Sequence, residues 1–150
     1  MAKSLAIDSS VIVKWFKKGE PFEEEALKLR QDVLLAKVNA FTSELIGLEV
    51  CRALVKVGYS SDKIKEVYAT LNEMDELGFL RSVSTAVLKN KALNLLVKLN
   101  LYVADALNLA VAIFNSSDLL TEDKHLLRSR VKEFMKKKGL NVVRLREAYH

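Results

Sequence analysis

Short apolar runs alternate along the chain with longer segments in which apolar residues recur every three or four positions, as strands and helices do. The predicted strands are 4–8, 38–41, 79–83, 119–121 and, as a candidate final strand, 142–145. The predicted helices are 11–16, 22–36, 43–57, 61–77, 85–99 and 103–115, with one or two more within 123–138. Strands separated by helices pair in parallel through right-handed crossovers. We therefore expect one α/β domain over residues 1–150, a three-layer α/β/α sandwich with a central parallel sheet.

Four acidic residues lie at or near the ends of apolar segments: Asp8, Glu49, Asp105 and Asp123. Asp8 and Asp123 follow predicted strands, at the edge of a parallel sheet where sites form. A carboxylate beside buried elements is costly unless a charge or a hydrogen bond compensates it. Several carboxylates in one pocket would repel each other unless a cation lay among them, and Mg²⁺ and Mn²⁺ prefer oxygen ligands. The pattern therefore predicts a metal-dependent hydrolase acting on phosphodiesters.

The first two acids have structural alternatives. Asp8 would simply turn the chain if Ser9 or Ser10 caps the next helix, although Ser10 is also close enough to orient an Asp8 carboxylate oxygen. Glu49 shares one side of its predicted helix with Arg52, so an exposed ion pair between them is an equal alternative. The residues alone leave both alternatives open.

Asp105 gives the strongest indication of a site. The helix 103–115 is apolar almost all round, and Asp105, Asn108 and Asn115 interrupt it along one narrow stripe. A position in the first turn compensates a carboxylate only in part through the helix dipole, whereas a bound cation would compensate it more fully. We expect Asn115 to support the acids through hydrogen bonds.

The fourth acid follows the pattern Thr121-Glu122-Asp123. In the structural alternative, Thr121 caps a helix with two acids in its first turn. In the functional interpretation, Asp123 is a ligand supported by Thr121, and Glu122 remains open as a substitute ligand.

Composition limits the other functions. The single cysteine, Cys51, cannot form an internal disulfide, which fits a reducing cytoplasm, and the longest apolar stretch, 101–114, is too short for a membrane span. His125 and His150 are too few for a histidine-rich metal site, and phosphate-binding glycine loops and a nucleophile elbow are absent. Trp15 is expected in the core or a subunit interface, with base stacking as the alternative.

The net charge of +5 is placed unevenly. Residues 1–120 hold 15 Lys and Arg against 15 Asp and Glu, whereas residues 121–150 hold 9 against 4. This asymmetry indicates an anionic partner such as nucleic acid. A solvated helix end is an equal interpretation of Lys136-Lys137-Lys138.

The order of these motifs resembles PIN-domain ribonucleases, and more closely the VapC-type toxins of toxin–antitoxin pairs, over essentially the whole chain. The residues that carry the resemblance are Ala6-Ile7-Asp8-Ser9-Ser10, Ser43-Glu44-Leu45 leading to Glu49-Val50 and Ala53-Leu54, Val103-Ala104-Asp105-Ala106 with Leu109-Ala110, and Leu120-Thr121-Glu122-Asp123-Lys124 with Leu126. The family commonly has a proline near the start of the helix that bears the glutamate, where this chain has Thr42-Ser43. That difference is expected to alter the start of the helix and to leave the acids unchanged.

The resemblance implies that Asp8, Glu49, Asp105 and Asp123 form an acidic quartet that binds Mg²⁺ or Mn²⁺, with Ser10 and Thr121 as hydroxyl supports. It implies hydrolysis of RNA to a 5′-phosphate and a 3′-hydroxyl, a homodimer, and inhibition by a small antitoxin protein.

Two other classes remain as rivals. The first is a non-catalytic PIN-like module that keeps the acids but only binds protein or RNA. The second is a receiver-like signalling domain, which needs an aspartate at the end of a central strand. The strand 79–83, taken as central, ends in Ser and Thr, which argues against that class.

Overall fold

Five parallel strands form the middle layer of the computed structural model, which describes residues 2–149. Their order is β3-β2-β1-β4-β5. The strands are β1 (Lys3–Ile7), β2 (Val38–Ser43), β3 (Leu80–Val83), β4 (Asp118–Leu120) and β5 (Val142–Val143). Because apolar side chains alternate between the two faces of a strand, Leu5 and Ile7 join one core cluster and Ala6 joins the other.

Helices cover both faces of this sheet and complete the predicted three-layer α/β/α sandwich. The helices are α1 (Ser9–Ile12, continued by a 3₁₀ turn, Val13–Trp15), α2 (Glu23–Leu34), α3 (Ile46–Lys56), α4 (Ser61–Glu76), α5 (Thr85–Leu99), α6 (Val103–Phe114), α7 (Ser129–Lys136) and α8 (Leu145–Ala148). Side chains of α1 to α4 and α8 pack on one face, and those of α5 to α7 pack on the other. The prediction of the fold class is confirmed.

Strand β1 lies at the centre of the sheet, paired with β2 on one side and β4 on the other. The chain builds outward from β1 through β2 and β3, and then returns to the opposite side of β1 through β4 and β5. The carboxyl ends of β1 and β4 therefore flank the point where the strand order reverses, which is where open α/β sheets form crevices. Asp8 and Thr121 follow these two strand ends directly.

The structure corrects the prediction for the strand 79–83. Strand β3 is an edge strand that pairs only with β2 among the described strands. The expectation that this strand is central, which counted against a receiver-like domain, was wrong. Which strand takes the middle of a sheet depends on long-range pairing that the local pattern does not contain.

Three boundaries also differ from the predictions. Strand β2 continues to Ser43, so α3 begins at Ile46 rather than Ser43. The predicted helical stretch from Asp123 begins with turns, and α7 starts only at Ser129. Asp123 Oδ1 accepts the backbone N–H of His125 at 2.7 Å, a local bond that competes with helix formation. Strand β5 is shorter than the predicted 142–145, because α8 begins at Leu145.

Other sequence signals are confirmed. Gly58, Gly78 and Gly139 follow helices with φ of +83°, +80° and +74°, the left-handed conformation of a C-terminal cap. Within residues 2–149, no single helix is long and apolar enough to cross a membrane. Helices α5 and α6 together reach that length and composition, but they meet at a bend of 116°.

Candidate active site

Asp8 is the most tightly held acid of the four. It is 2% exposed, and its backbone N–H bonds to Leu120 of the neighbouring strand at 3.0 Å. Its Oδ2 accepts hydrogen bonds from Ser10 N at 3.2 Å, Ser10 Oγ at 2.6 Å and Thr121 Oγ1 at 3.0 Å. Asp8 is thus the N-cap of α1, so the capping alternative and the site interpretation describe the same side chain. Burial raises its pKa above the ordinary value, while the bonds from Ser10 oppose that rise.

Asn108 joins two of the acids and is a residue that the sequence reasoning did not propose for the site. Its Nδ2 donates to Asp8 Oδ1 at 2.6 Å and to Glu49 Oε1 at 3.1 Å. The side chain is 2% exposed and lies one helical turn after Asp105 on α6. The stripe of polar residues on this helix is the sequence signal from which Asn108 could have been identified.

Glu49 lies in the first turn of α3, half-buried, with its carboxylate directed toward Asn108. Its Oε2 is buried and has no hydrogen-bond partner among residues 2–149. The Ser9 hydroxyl is close enough to favour the charged form slightly, but it makes no bond of good geometry to this oxygen. Burial, and then the charge of Asp8, raise the pKa of Glu49 to about 7. The alternative ion pair with Arg52 does not form in the described structure.

Asp105 lies in the first turn of α6 and is 7% exposed. Burial raises its pKa to about 7, with smaller contributions from the charges of Asp123 and Asp8. Arg128 opposes this rise. No hydrogen bond to the Asp105 carboxylate forms within residues 2–149, so its oxygens remain available to a ligand.

The segment after β4 separates the two neighbouring acids. Asp123 accepts from the His125 backbone, and Asp123 N bonds to Thr121 Oγ1 at 3.0 Å. Glu122 turns the other way, because its two oxygens accept from Arg144 and from the backbone N–H of Leu145, each at 2.8 Å. Glu122 therefore binds to residues at the start of α8, and Asp123 is the acid of this segment that lines the surface cleft described below.

The expectation for Asn115 was wrong. It follows the last residue of α6, and its Nδ2 donates to Val111 O in the preceding turn at 3.1 Å. Asp105 and the acids near it lie at the opposite end of this helix. Asn108, closer to that end on the same stripe, makes the contacts expected of Asn115.

Three of the acids line one surface cleft of about 430 Å³, which we call the acidic cleft. Its lining residues are Ser9, Leu45, Leu48, Glu49, Arg52, Ala104, Asp105 and Asp123. Asp8 lies behind it, joined to Glu49 through Asn108. A larger cleft of about 560 Å³ runs along α2 and contains none of these residues.

The donor chemistry of the acidic cleft fits a hard divalent cation. All four candidate side chains offer carboxylate oxygens, and Glu49 Oε2 is buried without a partner among the described residues. Neighbouring carboxylates also contribute to the raised pKa values of Glu49 and Asp105. A bound cation would give Glu49 Oε2 a partner and would offset the repulsion between the carboxylates. Within residues 2–149, however, no three His, Cys, Asp or Glu side chains are already close enough together to hold a metal ion.

A parallel sheet with clustered carboxylates at its reversal point defines an α/β protein with an acidic site. More specifically, the chain belongs to the PIN domain family, whose model matches residues 5–132, a range that includes all four acids. PIN domains are in general nucleases, and they typically use divalent metals. A comparison with curated proteins gave no significant match.

Proposed function

We propose that this protein is a divalent-metal-dependent endoribonuclease that hydrolyses RNA phosphodiester bonds. The observation that carries the proposal is that Glu49, Asp105 and Asp123 line one cleft of a PIN-domain fold, with Asp8 linked to Glu49 through Asn108. Water would attack the phosphorus and the bond to the 3′-oxygen would break, leaving a 5′-phosphate and a 3′-hydroxyl.

In this proposal, Glu49, Asp105 and Asp123 would hold Mg²⁺ or Mn²⁺ together with Asp8. When bound, such a cation would supply charge neutralisation at the phosphate and a lowered pKa of nearby water. Ser10 and Thr121 fix the Asp8 carboxylate.

The surroundings of the cleft favour an anionic substrate. Arg52 lines the cleft, and Arg128 is close enough to influence the pKa of Asp105. Arginine side chains at these places would bind phosphates that flank the scissile bond. The apolar wall formed by Leu45 and Leu48 keeps part of the cleft free of competing charges.

The test is cleavage of a 5′-labelled single-stranded RNA by the purified protein in Mn²⁺ or Mg²⁺, with EDTA as the metal-free control. Asp8→Asn and Asp105→Asn should abolish cleavage while the circular dichroism spectrum stays unchanged. Glu73→Gln is a matched control, because Glu73 is an exposed acid of α4 that does not line the acidic cleft. Cleavage by Asp8→Asn at the wild-type rate would overturn the proposal.

A second candidate function is a non-catalytic module that binds RNA or protein. The observations that favour it are that both Asp8 oxygens already accept hydrogen bonds and that the described acids are not yet arranged to hold an ion. Calorimetric titration with Mn²⁺ separates the two candidates. A nuclease should bind Mn²⁺, and the Asp105→Asn variant should no longer bind it. A non-catalytic module should bind RNA as well in EDTA as in Mn²⁺ and should not cleave the RNA.

We also propose that the protein is the VapC-like toxin of a toxin–antitoxin pair, acts in the cytoplasm, and forms a homodimer inhibited by a small antitoxin. Exposed apolar side chains such as Leu93 and Val97, 58% and 77% exposed, are available for such partners. The mass in solution tests the dimer. Co-purification with the product of a small neighbouring reading frame, with loss of RNA cleavage in that complex, tests the antitoxin.

A further inference from the structure

We propose that Tyr102 and His125 form a stacking site for one unpaired nucleobase of single-stranded RNA, at the rim of the acidic cleft. This inference rests on the proposed ribonuclease function and names the part of the substrate that lies beside the cleft.

The two rings already make an edge-to-face pair. Their centroids are 5.4 Å apart and their planes meet at 81°. Tyr102 is 70% exposed, so this pair leaves aromatic surface open to solvent. An exposed ring face of this kind is available for stacking with a ligand.

Both ring residues are close to acids of the cleft along the chain. Tyr102 is the residue before α6 and stands three positions ahead of Asp105. His125 follows Asp123 by two positions, and its backbone N–H bonds to Asp123 Oδ1 at 2.7 Å. A base on these rings would place an adjoining phosphate near the acidic cleft.

Arg128 holds the two segments that carry the rings. Its Nε donates to His125 O at 3.0 Å, and one terminal nitrogen donates to Leu99 O, at the end of α5, at 3.2 Å. These bonds tie the backbone of His125 to the chain three residues before Tyr102, which lowers the backbone entropy lost on binding. The positive charge of Arg128 also favours a nucleotide over a neutral aromatic ligand.

Stacking explains a preference for single strands. Bases of a duplex are already stacked on each other, and proteins therefore read duplex RNA mainly through its backbone. Stacking on an aromatic side chain contributes ~1–3 kcal/mol per base. We expect an affinity for unpaired RNA that depends on the Tyr102 ring and not on its hydroxyl.

The experiment measures the affinity for a short unstructured RNA by fluorescence anisotropy in EDTA, where no cleavage occurs. Tyr102→Ala should weaken binding by roughly 5- to 150-fold, the range that ~1–3 kcal/mol implies. Tyr102→Phe should bind like the wild type, and His125→Ala should show an intermediate loss. Phe114→Ala is the matched control, because Phe114 is a 52% exposed aromatic residue at the opposite end of the same helix.

A second measurement locates the base. A series of RNAs, each with one abasic nucleotide, should show one position where wild-type affinity falls and Tyr102→Ala affinity does not fall further. In Mn²⁺, Tyr102→Ala should raise KM with little change in kcat. Wild-type affinity in Tyr102→Ala, or equal loss in Phe114→Ala, would overturn the stacking site while cleavage by the parent protein still supports the nuclease. A wild-type protein that neither binds nor cleaves RNA would instead overturn the proposed function and the stacking site together.

Discussion

The pH dependence of stability in the metal-free protein offers a direct test of the acidic cleft. The perturbation is Glu49→Gln, which removes a charge and keeps the size of the side chain. Burial and the charge of Asp8 raise the pKa of Glu49 from 4.5 to about 7 in the folded protein. The substitution should therefore remove a group whose pKa differs between the folded and the unfolded state.

The sign and size follow from linkage. A carboxyl whose pKa is raised by folding holds its proton in the folded state after the unfolded chain has lost it. The free energy of unfolding therefore falls as pH rises between the two pKa values and levels off above the higher one. For Glu49, a rise from 4.5 to about 7 corresponds to about 3 kcal/mol. Asp105, raised from 3.8 to about 7, acts in the same direction.

Urea denaturation in EDTA, followed by the fluorescence of the single tryptophan, Trp15, measures this effect. Wild type should be less stable at about pH 8 than at about pH 5, and Glu49→Gln should reduce that difference by up to about 3 kcal/mol. Excess Mn²⁺ at the higher pH should restore wild-type stability and should stabilise Glu49→Gln less.

Glu73→Gln is the control, because it removes an exposed charge from α4 and should leave the pH difference unchanged. The reasoning is refuted if Glu49→Gln shows the full wild-type difference between the two pH values. That result would mean that Glu49 is solvated in solution and does not share a cleft with the other acids.

Two further predictions separate the roles of neighbouring residues. Asn108→Leu removes the amide that donates to both Asp8 and Glu49. It should lower the free energy of unfolding, measured by urea denaturation, by about 2–3 kcal/mol at alkaline pH. Asn94→Leu, at an exposed position, is the control. Glu122→Ala should destabilise the protein by about 1–3 kcal/mol through its lost bonds to Arg144 and Leu145 yet retain RNA cleavage, and a loss of cleavage with the fold intact would show that Glu122 acts in the site.

The local pattern predicted the strands, helices and layers, because periods of two and of 3.6 reflect burial that each segment carries by itself. It also predicted that Asp8 and Asp123 would follow strands at one sheet edge, which the structure shows. The order of the strands in the sheet could not be predicted from the local pattern, since the edge position of β3 depends on pairing between distant parts of the chain. The single domain over 1–150 stays a prediction, as do the roles of the acids.

Missed contacts share one cause: they join residues far apart in sequence. Asn108 was visible as a polar interruption of an apolar helix, but nothing local showed that it would reach Glu49 of α3. Tyr102 and His125 likewise meet only because α6 and the segment after β4 lie side by side. Trp15, the aromatic residue considered for stacking, is instead 5% exposed and donates from its ring to Ala26 O at 2.9 Å.

Two of the hydrogen-bond donors of the Asp8 carboxylate, Asn108 and Thr121, lie 100 and 113 positions later in the chain. All three residues can therefore meet only after the chain as far as Thr121 has left the ribosome. A shorter nascent chain contains Asp8 and its local donor Ser10 but lacks these two distant donors. If the protein degrades RNA as proposed, it should not cleave the messenger RNA that encodes it before residue 121 has been synthesised.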